Sequence, residues 1–315
     1  MALTLDQSQQ VSIQRDSLES RVGNTPLLPL RRIFPNLSLS VQIFAKAEWF
    51  NPGGSIKDRA ALNIIYTAIA KGELTSGKRL LDSTSGNTGI AYATFGAALG
   101  IPVTLTIPAN ASEERISILR VLGAEIILTD ALEGSDGALM VAQEMAAASP
   151  EKYFYANQYA NPANWEAHYK STGPEIYSQT NGHVTHFVSG LGTSGTLMGV
   201  GRYLREQNPK IQIIAGQPKG PFHGLEGLKH MESAQKPPIY DENFPNRFID
   251  LETEDAHEMV RRLAREEGLF VGISSGAAAF AALEVAQGID EGIIVTVFPD
   301  AGYKYISDKA LWSGE

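Results

Sequence analysis

Short apolar runs of strand length alternate with helix-period stretches from one end of this chain to the other, and that alternation restricts the fold more than any other feature. Val41 to Ala45 is the first clear strand-like run, after which Leu62, Ile65, Tyr66 and Ile69 fall on one helical face. Arg79 to Leu81 leads to Ile90–Leu99, a stretch small and apolar enough for a buried helix. Val103 to Ile107, a helix from about Glu113 to Leu122, Ile126 to Leu128 and Gly137 to Ala148 continue the pattern. It restarts after Asn161-Pro-Ala-Asn164, with Phe187-Val188, a helix to about Arg205 and the strand Ile211 to Ala215. An irregular stretch with Gly and Pro runs from Pro218 to Pro245, and helices near Glu254 to Glu267 and Ala277 to Ala286 precede a last strand, Ile293 to Phe298. Strands separated by helices make an α/β protein with mostly parallel twisted sheets flanked by helices. Because the unit occurs on both sides of Asn161, two lobes are expected, their loops facing each other across a cleft. The halves share no sequence period, so only the architecture repeats.

Three loops carry the chemistry. Asn51-Pro-Gly-Gly-Ser-Ile-Lys-Asp-Arg59 puts Lys57 where a strand gives way to a helix. A lysine there can hold a carbonyl cofactor as a Schiff base, and the glycines before it let backbone come close to a ligand. Asp58 and Arg59 read as a structural charge pair or as helix-start groups. Thr84-Ser-Gly-Asn-Thr-Gly89 and Gly190-Leu-Gly-Thr-Ser-Gly-Thr196 each precede a helical stretch, where backbone N–H groups and hydroxyls can cradle an anion. The second loop lacks the Gly-Lys-Ser/Thr ending of a nucleotide P-loop, and its glycine spacing is a poor match to a dinucleotide loop. A single phosphate monoester is the better guest. One reactive amine with two anion cradles suits a phosphorylated aldehyde and an amino-acid carboxylate, which is pyridoxal-phosphate chemistry.

In this order, the segments resemble the cysteine synthase family of fold type II (tryptophan-synthase-β-like) enzymes dependent on pyridoxal 5′-phosphate. The likeness runs from Val22-Gly-Asn-Thr-Pro-Leu27 to Asp300-Ala-Gly-Tyr-Lys-Tyr305 and is most specific at Gly54-Ser-Ile-Lys-Asp-Arg59, Thr84 to Gly89 and Gly272-Ile-Ser-Ser-Gly276. His168-Tyr169, Thr172-Gly-Pro-Glu175 and Thr185-His-Phe-Val188 look more like the B/M branch than the A/K branch. The resemblance implies a smaller lobe over 45–160, holding the Schiff-base lysine and the carboxylate loop, and a larger lobe from 1–44 and 161–315 with the phosphate loop. It implies that Lys57 is both cofactor anchor and general base, and that Asn87 meets the cofactor's ring oxygen. Gly192, Thr193, Ser194, Gly195 and Thr196 would hold the phosphate, and Ser274 would face the pyridine nitrogen. Thr84, Ser85, Gly86 and Thr88, with Gln158 across the cleft, would take the substrate carboxylate. Lys219 stands where phosphoserine-using relatives carry an arginine, so it is the expected reader of a phosphate leaving group. A serine hydroxyl at the ring nitrogen does not hold it protonated, which favours β-elimination to an aminoacrylate and β-replacement over long-lived carbanions.

The implied activity is cysteine synthesis from O-acetyl-L-serine or O-phospho-L-serine and a sulfur donor, sulfide, thiosulfate and a protein thiocarboxylate all being open. A serine/threonine dehydratase, a cystathionine β-synthase and a non-catalytic ligand sensor or assembly partner are the alternatives. A homodimer is implied by the family, and a serine acetyltransferase or a sulfur-carrier protein is the partner to test for. Composition agrees: 315 residues suit two sub-domains, and 43% apolar with 19% charged residues describes an ordinary globular chain. A net charge of −9 argues against a nucleic-acid footprint. No run reaches membrane-span length, and the polar stretch from Met1 to Glu19 lacks a signal-peptide core, so a cytoplasmic enzyme is expected. With no cysteine and no His-Glu-x-x-His, His168, His183, His186, His223, His230 and His257 offer no zinc site.

Overall fold

The computed structural model describes residues 16–84 and 86–313. Ten strands follow in chain order: β1 (Leu27–Pro29), β2 (Val41–Ala47), β3 (Arg79–Ser83), β4 (Val103–Pro108), β5 (Glu125–Thr129), β6 (Tyr153–Tyr155), β7 (His186–Gly190), β8 (Gln212–Pro218), β9 (Arg247–Leu251) and β10 (Gly292–Phe298). They form a six-stranded sheet in the order β1-β2-β10-β7-β8-β9 and a four-stranded sheet in the order β5-β4-β3-β6. Every pairing is parallel except β1 with β2. Parallel neighbours need long crossovers, which is why a helix separates most strands. The four-stranded sheet is built wholly from residues 79–155, whereas β1 and β2 cross over to join the strands that follow Asn161.

The helices are α1 (Lys57–Ala70), α2 (Asn87–Leu99), α3 (Glu113–Val121), α4 (Gly134–Ala148), α5 (Pro162–Ala167), α6 (Gly173–Gln179), α7 (Gly195–Gln207), α8 (Thr253–Arg262), α9 (Ile273–Ala286) and α10 (Lys309–Trp312). All six residues of β4 are buried, as expected of a strand covered on both faces. α2 packs close against this sheet through Gly96, where a Cβ would lie 2.5 Å from the side chain of Val103. α9 is the alanine-rich core of the other sheet. Eleven of its fourteen residues are buried, and Gly276 lies so near α8 that a Cβ would come 2.2 Å from the carbonyl of Ala256.

Two helical expectations shift. The buried face of α1 is Ala61, Leu62, Ile64, Ile65 and Ala68, while Tyr66 and Ile69 are each 45% exposed. α1 packs against both α2 and α5, and the alanines allow that approach, so the stripe is wider and turned from the expected one. α9 begins at Ile273, not near Ala277, and its N-cap is Gly272. Ser274 and Ser275 therefore lie inside the first turn instead of preceding it. Among the described residues no helix is long and apolar enough to cross a membrane.

Candidate active site

The functional loops leave the carboxyl ends of β3, β6, β7 and β10, where open parallel sheets bind ligands. Between them lies a cavity of about 390 Å³, lined by residues of both sheets, including Lys57, Asn87, Gln158, Thr193, Ser194 and Ser274. Lys57 opens α1. Its segment is stitched to the end of β10: the Ile56 amide donates to the Pro299 carbonyl at 2.9 Å, and Ser55 bridges Asp300. Burial holds the Lys57 ammonium pKa below the usual lysine range, opposed by the charge of Asp300. The amine is thus biased toward its neutral, nucleophilic form.

Asp58 and Arg59 do not pair with each other. Asp58 accepts the Gly53 amide at 2.5 Å, closing the glycine turn, and burial pushes its carboxyl up to about 7. Arg59 instead meets Glu48 at 2.7 Å and Glu175 at 2.6 Å, and Lys46, wholly buried, lies 2.6 Å from Glu175. Burial works to raise the Glu175 pKa, but the two cations outweigh it and hold the carboxyl down at about 2. This buried four-charge cluster anchors the first turn of α1, and with it the lysine, to β2 and α6. Breaking such a cluster from one side typically costs about 3–5 kcal/mol.

The first hydroxyl loop caps α2, with Gly86 as N-cap. Thr84 Oγ1 accepts the Gly86 amide at 3.2 Å, and Thr88 donates its hydroxyl to Gln158 Oε1 at 2.8 Å. Ser85 lies outside the described residues. Gln158 is only 4% exposed, so it is no surface residue. Its amide reaches Asp82 Oδ2 at 3.3 Å, and Asp82 Oδ1 accepts the Ser83 amide at 2.9 Å, so one buried carboxyl ties the ends of β3 and β6 together. Burial pushes Asp82 up to about 7. Asn87 donates from Nδ2 to Asp300 Oδ2 at 2.7 Å and accepts at Oδ1 from Lys304 Nζ at 2.6 Å. That leaves the second Nδ2 hydrogen for a ligand oxygen.

The second loop has the form of an anion cradle. Gly192 and Gly195 have no room for a side chain, since a Cβ would sit 2.3 Å from the Gly227 carbonyl or 2.0 Å from Asn164 Oδ1. Ser194 adopts φ 66°, and its buried Oγ has no partner. Thr193 Oγ1 accepts from Asn164 Nδ2 at 3.1 Å, and Thr196 Oγ1 lies 3.4 Å from His168 Nε2. Burial, then the charges of Arg59 and Lys57, push His168 well below the ordinary histidine range, so it is neutral. The loop opens α7, adding the helix N-terminus. An orphaned hydroxyl, a loop too tight for side chains and an amine of lowered basicity fit a phosphorylated aldehyde such as pyridoxal 5′-phosphate. Ser274 is buried in the first turn of α9 and lines the same cavity.

Among the described residues, two expected site residues do not line the cavity: Gly195, whose place is the backbone start of α7, and Lys219. The Lys219 side chain is 63% exposed and 2.6 Å from Glu252, away from the cavity lining. The irregular stretch supplies Glu226 and Lys229 instead, and α3 supplies Arg115. Arg115, Lys229 and Asp300 escaped the sequence reading, although Asp300, two residues past the last strand, sits where site residues of parallel sheets collect. Among the described residues no cluster of side chains suits a metal.

Comparison with known proteins agrees with this geometry. Residues 18–300 match the family model described as pyridoxal-phosphate dependent enzyme. The chain is 53% identical over 304 residues to a cysteine synthase of Aquifex aeolicus, covering 95% of this chain and 93% of that one. It is 41% identical over 297 residues to cysteine synthase B of Pseudomonas aeruginosa, covering 94% and 98% respectively. A crystal structure of a cysteine synthase from Entamoeba histolytica superposes with a TM-score of 0.91 at 36% identity, covering 100% of this chain and 95% of that one.

Proposed function

This chain belongs to the pyridoxal-phosphate-dependent enzyme family, and from that membership we infer how its cleft works as a cysteine synthase. The reaction replaces the β-substituent of O-acetyl-L-serine or O-phospho-L-serine with a sulfur nucleophile. When bound, pyridoxal 5′-phosphate supplies an electron sink for the substrate Cα. The protein's part is to bind, to orient and to move one proton. The observation that carries this reading is Lys57, an amine of depressed pKa at the cavity between two anion loops.

Gly192, Thr193, Ser194, Gly195 and Thr196 take the phosphate, with the Ser194 hydroxyl finding there the acceptor it otherwise lacks. Thr84, Gly86 and Thr88 bind the amino-acid carboxylate at the N-terminus of α2, and we assign Ser85 to the same loop. Gln158, held by Thr88 and Asp82, closes that site from β6. Asn87 uses its free Nδ2 hydrogen on the ring oxygen. Lys57 Nζ would take the Cα proton, a role that its lowered pKa favours. Ser274 meets the ring nitrogen with a hydroxyl and not a carboxylate, favouring departure of the β-substituent over other fates.

We place a homodimer as the working assembly and keep the smaller lobe's far end at 160, but the boundary expected at 45 moves past Ala47, because β2 pairs along its whole length with β10 of the larger lobe. Lys57→Ala tests the core of the proposal. Loss of the imine absorbance and of cysteine formation by at least about 10²–10⁴-fold, the usual range for a general base, is expected with the fold kept. Near-normal turnover by this variant would overturn the assignment.

A further inference from the structure

The segment Glu226–Lys229, in the irregular stretch between β8 and β9, has no part in the chemistry above, yet it touches both sides of the cleft. On one side it is fixed to the phosphate loop. The Lys229 amide donates to the Leu191 carbonyl at 2.7 Å. A Cβ at Gly192 would meet the Gly227 carbonyl at 2.3 Å, and one at Gly190 would meet Leu228 Cδ2 at 2.6 Å. Gly227 itself has φ 85°, a turn that favours glycine. One backbone hydrogen bond and the tight contacts at Gly190 and Gly192 join the loop to this segment.

On the other side the segment grips the four-stranded-sheet lobe. Glu226 binds Arg115 of α3 with both carboxylate oxygens, Nη2 to Oε2 at 2.7 Å, and Lys229 Nζ lies 4.4 Å from the ring centre of Tyr159. Arg115 is not a surface residue. Its side chain is 8% exposed, its Nε is buried without a partner, and its guanidinium lies 5.4 Å from the Tyr305 ring centre. Tyr305 in turn donates to Asp300 Oδ2 at 2.9 Å, the oxygen that also accepts from Asn87. Glu226 is 43% exposed. A two-pronged pair is directional, and one with a hydrated partner is weak enough to open.

We propose that Glu226–Lys229 is a strap, and Arg115 the positioning residue it grips, which couple filling of the phosphate loop to seating of the carboxylate loop over a bound amino acid. This rests on the assignment of the two loops made above. Pulling at Leu191 and Gly192 draws the strap, and the strap draws α3 and the Thr84–Thr88 loop toward the cofactor site. Opening the Arg115–Glu226 pair admits substrate and releases product.

The test uses the holoenzyme, its Glu226→Gln, Arg115→Gln and double variants, and L-serine, which lacks a good leaving group, as the binding probe. Each single variant should raise KM for O-acetylserine about tenfold with kcat equal or higher, and the double variant should be no worse than the worse single. Hydrogen exchange should show 112–122 and 223–230 gaining protection together when L-serine binds wild type, and independently or not at all in Glu226→Gln. Unchanged KM and exchange in both single variants, or losses in kcat alone, would overturn the strap. A wild-type holoenzyme whose imine absorbance ignores L-serine would overturn the loop assignment beneath it, a failure visible without any variant.

Discussion

Ser194 offers a prediction in which the cofactor-free and loaded proteins respond with opposite signs. Its Oγ is buried, lacks a hydrogen-bond partner and sits on a backbone of φ 66°. A hydroxyl desolvated without a partner costs about 1–3 kcal/mol. Ser194→Ala removes that cost from the cofactor-free protein. The left-handed backbone penalty is shared by serine and alanine and cancels. The stripped variant should therefore melt a few degrees above wild type, since about 1 kcal/mol moves Tm by about 2–4 °C in chains approaching this size. In the loaded protein the hydroxyl donates to a phosphate, and a hydrogen bond to a charged group is worth about 1.5–3 kcal/mol. Its loss should weaken cofactor binding about 10- to 150-fold. Scanning calorimetry of stripped protein and cofactor titration by fluorescence measure the two effects. A variant that melts at or below wild type and binds cofactor within about threefold of it would show that Ser194 does not face the phosphate.

Other outcomes follow from the same geometry. Asp82, raised from 3.8 to about 7, binds its proton more tightly folded than unfolded, so its contribution to stability is present below pH 4 and lost as pH rises toward 7. Urea unfolding of the stripped protein at pH 5, 6 and 7 should show Asp82→Asn shallower in its pH slope by about 1.4 kcal/mol per unit; equal slopes would count against a neutral Asp82. Ser274→Asp should favour a protonated ring nitrogen, slow β-replacement and shift the cofactor spectrum, and an unchanged rate and spectrum would remove Ser274 from the ring. Lys219→Ala should leave O-phosphoserine and O-acetylserine turnover alike, whereas Lys229→Ala, at the cavity, should depress O-phosphoserine turnover about tenfold more than that of O-acetylserine. The reverse pattern in paired assays would restore Lys219 as the phosphate reader.

The parts of this protein written locally were legible. β10 is an apolar run broken only by Thr296, β4 alternates Val103, Leu105 and Ile107 with threonines, and the glycine-hydroxyl loops announce helix starts by composition alone. β1, β6 and β9 passed unnoticed because three residues of Leu-Leu-Pro or Tyr-Phe-Tyr, or the half-polar Arg247–Leu251, carry no period. Lys57 could be found because glycines precede it. Arg115 could not, because on sequence it is one more cation in a charged helix, and only the fold lays it against Tyr305 and Glu226. Lys219 misled for the converse reason: it is a cation in the right stretch, but it pairs with a carboxylate 33 residues away that the local sequence does not reveal. Its partner, Glu252, lies beyond β9 and meets it only because β9 runs alongside β8.

The six-stranded sheet is made from both ends of the chain. β2 pairs with β10, Val41 beside Gly292, and the Ile56 amide is bound by Pro299. During synthesis the four-stranded sheet can form as soon as residue 155 is free, but β2 must wait for roughly 250 further residues, about 10–50 s at about 5–20 residues per second. The Lys57 segment waits with it, since the Pro299 carbonyl that seats it follows β10. A half-made chain leaving the ribosome can thus hold a folded lobe and no working centre.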